Sequence, residues 1–477
     1  MGCRFRKIFA MVFMTATLVG LIICSSVNAR MPNRIRVGII TQNSGSQLRN
    51  ASAITFLVKG TYQLVDLSAI PGPEIIGTPN KEETWQVLFL PTGMQIYQNG
   101  QPVKITTGPV IVKEQNHDSA NRVCLVNYTV NNSEANIGKW YRGNMEFQSS
   151  TGSIVAINEL PVEEYLSGVV PREMSNSWPI EALKAQAIAA RTYVAVSINK
   201  HLVEGFNLLD TQTDQVYGGF NSEGDNANQA VMETSGQIMM YNGIPISAVY
   251  HSTSGGFTED NENVWSGKPC DYLRAAEDPY SISNGLSNWT YTTTMEEINN
   301  KLSQAGSGIG PISTIQLEKF RSGRVKTVII KDINGNTVTK SGSEFGRLFN
   351  PKFYTSINTT SFMSNFFDLK MDQLSNPNYS IMDSTGKQTT VSGDNLFSLA
   401  DDGNAGPLNG GAADFFILDA SGTSSYNKAA TGTVVFQGRG WGHGVGMSQW
   451  GAYNMALGGK GYQDILKFYY QGAEIVD

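Results

Sequence analysis

One stretch of the sequence, GRGWGHGVG at residues 438–446, places glycine at every second position and constrains the fold more than any other feature. On an extended strand, alternate residues point to opposite faces. One face of such a strand would be bare backbone, and the other would carry Arg439, Trp441, His443 and Val445. Because glycine weakens a strand, the segment predicts either a close packing partner for the bare face or a ligand held by the other face.

The first 29 residues have the features of an export signal. A basic start at residues 4–7 precedes a nearly continuous apolar run at residues 8–24, and small residues lead to a predicted cleavage site after Ala29. An uncleaved membrane anchor is the alternative, because the apolar run approaches spanning length. A lipoprotein signal at Cys24 is disfavoured by the bulky Ile23 before it. We therefore expect an exported protein, either in the cell wall or extracellular space or anchored in the membrane and facing outwards.

The charge balance excludes one class of function. The chain has 477 residues and a formal net charge of −6, which becomes −9 without the predicted leader because the leader carries three basic residues and no acidic one. A nucleic-acid-binding protein would show a basic stripe instead, so nucleic acid is not an expected partner. Outside the leader only Cys124 and Cys270 remain, which allows one disulfide but excludes a disulfide-rich scaffold.

The apolar pattern predicts an α+β fold in four parts after the leader. Residues 30–150 alternate short runs rich in Val, Ile and aromatic residues with Gly, Asn and Pro, which is typical of β-strands. Residues 151–290 are expected to form a core, residues 291–433 a β-rich subdomain or insertion, and residues 434–477 the returning C-terminal part of the core. Within the insertion, residues 371–430 are rich in Ser, Gly, Asn and Asp, and only FFILDA has a strong strand pattern.

Two helices are predicted at the start of the core. The first begins at Pro161, has two glutamates in its first turn, and is expected to stop at Gly168 and Pro171. The second, residues 179–198, has apolar residues at helical spacing and alanine on several faces. This pattern predicts a mostly buried helix with β-rich segments around it.

Two Asn-Gly pairs predict hairpins. Asn242-Gly243 separates QIMMY from ISAVYHS, and a second pair lies inside VKTVIIKDINGNTVT. Two short helices, SQWGAYNMAL and YQDILKFYY, are expected at the end of the chain. We expect the strand at residues 434–441 to return to the buried helix and to bring His443 close to Glu173.

Glu173 is the first candidate for chemistry. It lies between two prolines in VVPREMSNSWP, with Val169, Val170, Met174 and Trp178 nearby. A carboxyl group among apolar side chains loses solvation, so its pKa rises and it becomes a usable general acid. From these features alone, a surface glutamate in a helix–helix connection is the favoured interpretation.

Other polar residues are candidates for substrate binding, each with a structural alternative. Gln186 and Arg191 lie on the alanine-rich helix, where a buried arginine needs a carboxylate partner or a ligand. Its alternative is a helix-edge arginine that reaches water. YHSTSGG places His251, Ser252 and Ser254 at the end of a strand, where the hydroxyls could equally satisfy a turn.

Metal binding has little support in the sequence. The four histidines show no zinc-helix spacing and there is no HExxH. A site made of His251, Cys270, His443 and a carboxylate is conceivable but weak. The match to S-x-x-K at residues 197–200 falls near a helix end and is interpreted as chance. No cofactor is therefore expected.

Three blocks together resemble the SpoIID/LytB family of sporulation protein D and amidase enhancers. The blocks are LPVEEYLSGVVPREMSNSWPIEALKAQAIAARTY, YHSTSGGFTEDNENVW and GRGWGHGVGMSQWGAYNMA with the trailing ILKFYYQG. Their order and spacing also fit, and the resemblance covers nearly all of the chain after the leader, least clearly residues 365–430. The length of these motifs makes chance agreement improbable.

The resemblance implies cleavage of peptidoglycan glycan strands by a lytic transglycosylase, in sporulation or cell-wall remodelling. The family's acid is the glutamate of the EM pair, here Glu173. One carboxyl group suffices, because a hydroxyl of the substrate itself can replace the second acid of other glycosidases. Hydroxyls and dipoles for the charged sugar would come from Ser252, Ser254 and Gln449, with Ser448 in the same block.

The sugar itself would be bound through the glycine-rich segment. Trp441 would stack on a sugar face, and Arg439 and His443 would bind hydroxyls. Some members of the family carry zinc near the STSGG block, but here His251 occupies the preceding position and Cys270 lies well downstream.

Two rival functions remain open from the sequence. In the first, the protein is an amidase enhancer that binds glycan or a partner amidase and cleaves nothing itself. The presence of Glu173 argues against this. In the second, it is a metal-dependent amidase or peptidase, against which the scarcity of histidines argues.

Overall fold

The computed structural model describes five main stretches of the chain and the backbone of several short strands between residues 378 and 427. The main stretches are residues 31–41, 48–282, 287–350, 361–371 and 433–477. The predicted leader and its cleavage site lie outside the described residues. Within them, no helix is long and apolar enough to cross a membrane.

The described residues form a mixed α+β structure, which confirms the predicted fold class. Two large antiparallel-dominated sheets come first in the chain, helices follow, and a second group of strands separates these helices from the last two. The α-helices of the described residues are α1 (Val162–Glu173), α2 (Ile180–Ser197), α3 (Asp225–Glu233), α4 (Met295–Gln304), α5 (Gly342–Phe349), α6 (Gln449–Leu457) and α7 (Tyr462–Tyr469).

The N-terminal region builds the two large sheets. The first has eight strands, of which Leu48–Arg49 pairs at the side of the first strand in the chain; the other seven lie in the order Leu208–Leu209, Arg34–Thr41, Ser153–Pro161, Asn144–Ser150, Val110–Glu114, Tyr62–Asp66 and Glu74–Gly77. The second has six, in the order Ser133–Tyr141, Arg122–Val130, Ala53–Lys59, Trp85–Leu90, Gly93–Gln98 and Gln101–Thr106. The apolar runs of residues 30–150 that are typical of strands, which include RIRVGII, ITFLV, WQVLFL and VCLVNYTV, all lie in these sheets.

Smaller sheets follow. One joins Ile244–Pro245, Ile238–Tyr241 and Glu474–Val476, and a parallel pair joins Tyr250–His251 to Met447–Ser448. Two three-stranded sheets contain Asn288–Thr294, Thr433–Arg439 and Phe367–Met371, and Ile312–Lys319, Val325–Asp332 and Thr337–Ser341.

Two large hydrophobic cores and one small cluster organise the described elements. The larger one joins the N-terminal sheets to α1, α2, α3, α6 and α7. The second contains apolar residues of α4, α5 and the strands around Phe436, with Phe345, Phe362 and Phe367 in contact. The four-part division of the chain at residues 150, 290 and 433 stays a prediction.

Helix α2 is the buried helix that the alanine pattern predicts. Twelve of its eighteen residues are buried, including five of its alanines between Ala182 and Ala190. The small side chains let α1, α3, α6 and α7 approach the helix from several sides. Pro179 precedes its first turn.

Helix α1 is longer than predicted. We expected it to stop at Gly168 and Pro171, but it continues to Glu173. Gly168 is required for packing, since a Cβ there would lie 2.5 Å from the ring of Tyr217. Pro171 lies in the last turn, and the N–H of Met174 still donates to Val170. Glu173 therefore ends a helix instead of lying in a free connection.

Both Asn-Gly turns exist, but the strand after the first is shorter than predicted. Asn242 and Gly243 both have positive φ and join two short strands. The returning strand is only Ile244–Pro245, just before ISAVYHS, and within ISAVYHS the strand Tyr250–His251 pairs with Met447–Ser448 instead. The second turn, at Gly335, joins two strands as predicted.

The region 371–430 contains more strands than the single one predicted. FFILDA does form a strand, Asp414–Asp419, and it pairs with Gly422–Asn427. Two further hairpins join Asn378–Met382 to Gln388–Ser392 and Phe397–Leu399 to Ala405–Pro407. Their polar, Ser- and Thr-rich sequences lack the apolar alternation from which strands are predicted.

The glycine-rich segment is a strand only up to Arg439. The four following glycines at even positions, 440–446, all have positive φ, so the segment is a loop and its side chains do not alternate between two faces. A Cβ at Gly446 would lie 2.1 Å from the carbonyl oxygen of Val249, which shows how closely the loop approaches residues 249–254.

The predicted packing of this segment on the alanine-rich helix is therefore wrong. Its strand, Thr433–Arg439, pairs with Asn288–Thr294 and Phe367–Met371, and Val434 and Phe436 point into the second core. The apolar alternation of the strand fits that aromatic core. The neighbour of the glycine loop is the segment 249–254.

Candidate functional site

The carboxylate of Glu173 lies where three parts of the chain meet. Its Oε1 accepts the backbone N–H of Val216 at 3.0 Å, and its Oε2 accepts the Nε2 amide of Gln449 at 3.3 Å. The hydroxyl of Tyr250 also hydrogen-bonds this carboxylate. Glu173 is partly exposed, so a substrate can reach it.

Burial raises the pKa of Glu173 above its ordinary value, and the hydrogen bonds from Val216, Gln449 and Tyr250 oppose that rise without cancelling it. A carboxyl group that keeps its proton to a higher pH is suited to protonating a leaving group. The donors around it would then stabilise the ionised form after the proton has left.

Behind Glu173 lies a chain of hydrogen bonds that orients Tyr250. The Nε2 amide of Gln215 donates to the Tyr250 hydroxyl oxygen at 3.1 Å and also to the carbonyl of Ala190 at 3.3 Å. The hydroxyl of Tyr165 donates to Oε1 of Gln215 at 3.3 Å. Because Gln215 fills the acceptor side of the Tyr250 hydroxyl, its proton is directed to Glu173.

Tyr250 remains a proton donor at any physiological pH. Burial raises its pKa well above the ordinary value, and the neighbouring Glu173 charge raises it further. Gln215 is 1% exposed, so its position does not depend on solvent.

Gln449 is placed by the first turn of α6. Ser448 is the N-cap, and its Oγ accepts the backbone N–H of Gly451 at 3.1 Å. The same Oγ accepts the N–H of Ser254 at 3.3 Å. Ser448 and Ser254 are fully buried and hold the helix start rather than facing the carboxylate of Glu173.

The buried carboxyl group of Asp278 helps to fix the position of Ser254. Ser254 Oγ donates to Oδ2 of Asp278 at 2.8 Å, and the Tyr469 hydroxyl donates to the same oxygen at 3.1 Å. Burial raises the pKa of Asp278. Ser252, which is partly exposed, accepts the N–H of Trp450 through its backbone oxygen at 3.0 Å.

His251 and His443, the two histidines predicted to bind substrate, contact each other with ring centroids 5.4 Å apart. His251 Nδ1 lies 3.0 Å from the carbonyl oxygen of Val445, so Nδ1 carries the proton. His443 Nδ1 accepts the N–H of Val445 at 3.1 Å, and its ring also bonds the backbone of Tyr250. Tyr250 thus links the His443 region to Glu173.

Both histidines are neutral at pH 7. Burial, His443 and Arg324 hold the pKa of His251 well below its usual range. Burial and Arg324 lower the pKa of His443 to about 4.

Gln186 and Arg191, predicted to bind substrate, are both 0% exposed on α2. Arg191 has the carboxylate partner that burial requires, since its Nε and Nη2 donate to Glu163 at 2.9 and 2.7 Å. Neither amide atom of Gln186 has a hydrogen-bond partner within the described part of the chain. Both residues are therefore buried inside the protein, where they do not face a substrate at its surface.

Arg439 and Trp441 lie with the second core. The guanidinium of Arg439 stacks over the Phe366 ring at 4.3 Å, and Trp441 is partly buried against the second core. Neither residue is among the hydrogen-bond partners that the structure gives Glu173.

A different aromatic group is close in sequence to Glu173 and to its partner Gln449. Trp178, Trp450 and Tyr453 are all partly exposed and contact one another, with ring centroids 4.8 to 5.3 Å apart. Trp178 lies in the connection between α1 and α2, five residues after Glu173, and Trp450 follows Gln449 directly. We refer to these three residues as the aromatic trio.

The described residues do not fit a zinc site near the STSGG block. Such a site needs about four Cys, His or carboxylate ligands around one point. Within the described residues, no three of these side chains are grouped closely enough to hold a metal ion. Cys270 instead points its thiol towards the carbonyl of Lys268, 3.8 Å away.

The sequence profile of the Stage II sporulation protein family, SpoIID, matches residues 150–241, which include Glu173, Gln215 and Val216. The chain belongs to the SpoIID family.

Its relatives include an amidase enhancer of Bacillus subtilis, 34% identical over 397 residues, which cover 79% of this chain and 48% of the relative. A Stage II sporulation protein D of Bacillus subtilis is 29% identical over 67% of this chain and 76% of its own length. An uncharacterised protein of Brachyspira hyodysenteriae is 30% identical over 71% of this chain and 72% of its own length.

Sequence reasoning missed Tyr250, Gln215, Trp450 and Tyr453, and it named Trp178 only as an apolar neighbour of Glu173. Tyr250 stands directly before His251 in a segment already singled out, but its contact with Glu173 joins residues 77 positions apart. No local pattern marks such a contact. The SQW motif gave the one available signal for Trp450.

Proposed function

We propose that this protein cleaves the glycan strands of peptidoglycan as a lytic transglycosylase, with Glu173 as its acid and base. The observation that carries the proposal is the setting of Glu173. It is a reachable carboxyl group with a raised pKa and with three hydrogen-bond donors ready to stabilise its ionised form. The relatives named for sporulation and amidase enhancement agree with a role at the cell wall.

The chemistry needs one carboxyl group and no water. Glu173 donates its proton to the glycosidic oxygen as the bond from that oxygen to C1 of the muramic acid breaks. The 6-hydroxyl of the same sugar then forms a bond to C1 and gives its proton to the Glu173 carboxylate. The products are a shortened glycan and a 1,6-anhydro end, and Glu173 returns to its acid form.

The neighbours of Glu173 support both proton transfers. When Glu173 is ionised, its carboxylate accepts hydrogen bonds from the Tyr250 hydroxyl, the Gln449 amide and the Val216 N–H. Donors that are already oriented stabilise charge without reorganisation. The aromatic trio gives a surface on which sugar rings can stack beside the acid, a role that the sequence assigned to Trp441.

The test is incubation of purified protein with isolated glycan strands, followed by mass spectrometry for anhydro ends. Wild-type protein should produce them, and Glu173→Gln should lower the rate about 10²–10⁴-fold while keeping glycan affinity. The matched control is Glu82→Gln, an exposed glutamate in a loop of the N-terminal region. Absence of anhydro ends with the wild type, or near-normal turnover of Glu173→Gln, would reject the proposal.

The alternative is a non-catalytic amidase enhancer that binds glycan and a cell-wall amidase. The similarity to the Bacillus subtilis amidase enhancer favours it, although the match covers 48% of that protein. In this case the protein would raise the activity of an added amidase, and Glu173→Gln would do so equally well.

We further propose that the protein acts outside the cytoplasmic membrane, as its N-terminal sequence predicts. Detection in the cell-wall fraction would test this.

A further inference from the structure

A cleft of about 740 Å³ opens between the six-stranded sheet and the start of α3. One wall comes from the strands Arg122–Val130 and Ser133–Tyr141, and the other from the turn Phe220–Ser222 and the first turn of α3. None of the hydrogen-bond partners of Glu173 lines it. Its lining includes Lys59, Arg122, Trp140, Arg142, Phe220 and Asn228. We refer to it as the Arg122 cleft.

Two cations of the Arg122 cleft have no acidic partner among the described residues. The Arg122 guanidinium lies 3.5 Å above the Phe220 ring, and its buried Nε has no hydrogen-bond partner in the described chain. Lys59 is exposed and forms no ion pair there. Arg142 differs, because it is already bound to both oxygens of Glu223.

Both acidic residues that line the cleft have their charge stabilised by a neighbouring group. Glu223 is neutralised by Arg142, and Asp225 lies in the first turn of α3, where the helix dipole stabilises its charge. The lining carries three cations, Lys59, Arg122 and Arg142, against two carboxylates, so the cleft keeps a net positive charge for a ligand. A guanidinium stacked on an aromatic ring presents its N–H groups in its own plane, which matches a carboxylate.

Two other features define the rest of the ligand. The Oδ1 of Asn228 is buried without a partner in the described chain, so it can accept a hydrogen bond from a hydroxyl or amide. Trp140 is partly exposed and offers an aromatic face. A carboxylate next to a sugar ring or an amide would satisfy all of these groups together.

We propose that the Arg122 cleft is a second binding site for a carboxylate carried by a glycan strand or by the peptide attached to it. The polymer is inferred from the proposed function, and the carboxylate from the cleft itself. Such a site would hold the polymer on the protein independently of the cleavage at Glu173.

The experiment measures binding without cleavage. In a Glu173→Gln background, affinity is measured for three probes: intact peptidoglycan fragments, glycan strands freed of peptide, and the free acidic peptide. Lys59→Gln and Arg122→Gln are compared with Lys81→Gln, an exposed lysine in a neighbouring loop that does not line the cleft. Melting temperatures check that each variant is folded.

Each variant of the cleft should weaken binding about tenfold, since a hydrogen bond to a charged group is worth about that factor or more, and the control should not. A loss with peptide-free strands places the carboxylate on the sugar; a loss only with intact fragments and free peptide places it on the peptide. Equal affinities of Lys59→Gln, Arg122→Gln and the control for all three probes would overturn the proposal. Because the experiment measures affinity and not cleavage, its outcome does not depend on whether the protein cleaves glycan strands.

Discussion

The hydroxyl of Tyr250 should set the pH range in which the protein is active. Tyr250→Phe removes the donor to Glu173 and keeps the ring in place. Gln215 loses one acceptor but keeps the carbonyl of Ala190, so the buried amide remains partly satisfied. The fold should therefore survive the substitution.

The expected effect follows from the sign of the lost interaction. The hydroxyl stabilises the ionised carboxylate and lowers the pKa of Glu173, against the rise caused by burial. Without it, Glu173 keeps its proton to a higher pH. A hydrogen bond to a charged group is worth about 1.5–3 kcal/mol, and one pH unit corresponds to about 1.4 kcal/mol. The alkaline limb of the rate profile should move upwards by about one to two pH units.

The assay is kcat/KM for the release of anhydro-ended fragments across the pH range. Tyr97→Phe, on the strand Gly93–Gln98 of the N-terminal region, is the matched control and should leave the profile unchanged. The maximal rate of Tyr250→Phe should also fall, because the ionised form of Glu173 is less stable. An alkaline limb that stays in place would refute the assigned hydrogen bond, and a limb moving to lower pH would reverse its sign.

Three other substitutions test separate features. The raised pKa of Glu173 means that the folded wild type loses stability as the pH rises above the ordinary pKa of a glutamate. Glu173→Gln removes this loss, so it should raise the melting temperature at neutral pH and leave it unchanged at about pH 4. Differential scanning calorimetry at both pH values checks this. Gly442→Val should lower the unfolding free energy by about 1–3 kcal/mol in denaturant titrations, since the added Cβ would lie 3.0 Å from His251 at a φ of +101°, and unchanged stability would contradict the packing. Trp450→Ala should weaken glycan binding more than Trp441→Ala in sedimentation assays, because Trp441 packs on the second core; the opposite order would return the sugar to the glycine loop.

Features set by neighbouring residues were predictable from the sequence. The alanine spacing of α2 and the Asn-Gly turns depend on local geometry, so the helix and both turns were predicted at their places. A buried arginine needs a partner on general electrostatic grounds, and Arg191 has one in Glu163.

Features set by distant residues were not predictable. Gly168 is required by packing and does not end α1, since Tyr217, 49 positions later, packs where a side chain would stand. The sequence of the glycine loop alternates as an extended strand would. Its backbone is instead fixed by hydrogen bonds to a remote segment, including one from the Trp441 N–H to the Thr253 carbonyl. The Tyr250 hydroxyl reaches Glu173 only through the same long-range arrangement.

The contact between Glu173 and Gln449 spans 276 positions, and this separation sets an order in time. A ribosome makes Glu173 long before the partner amide of Gln449, which follows 276 residues later. Loops of this length close late in folding, after local helices and hairpins have formed. A growing chain, or one cut short before α6, would therefore carry the acid without Gln449, and the complete set of groups around it would exist only once α6 has been made.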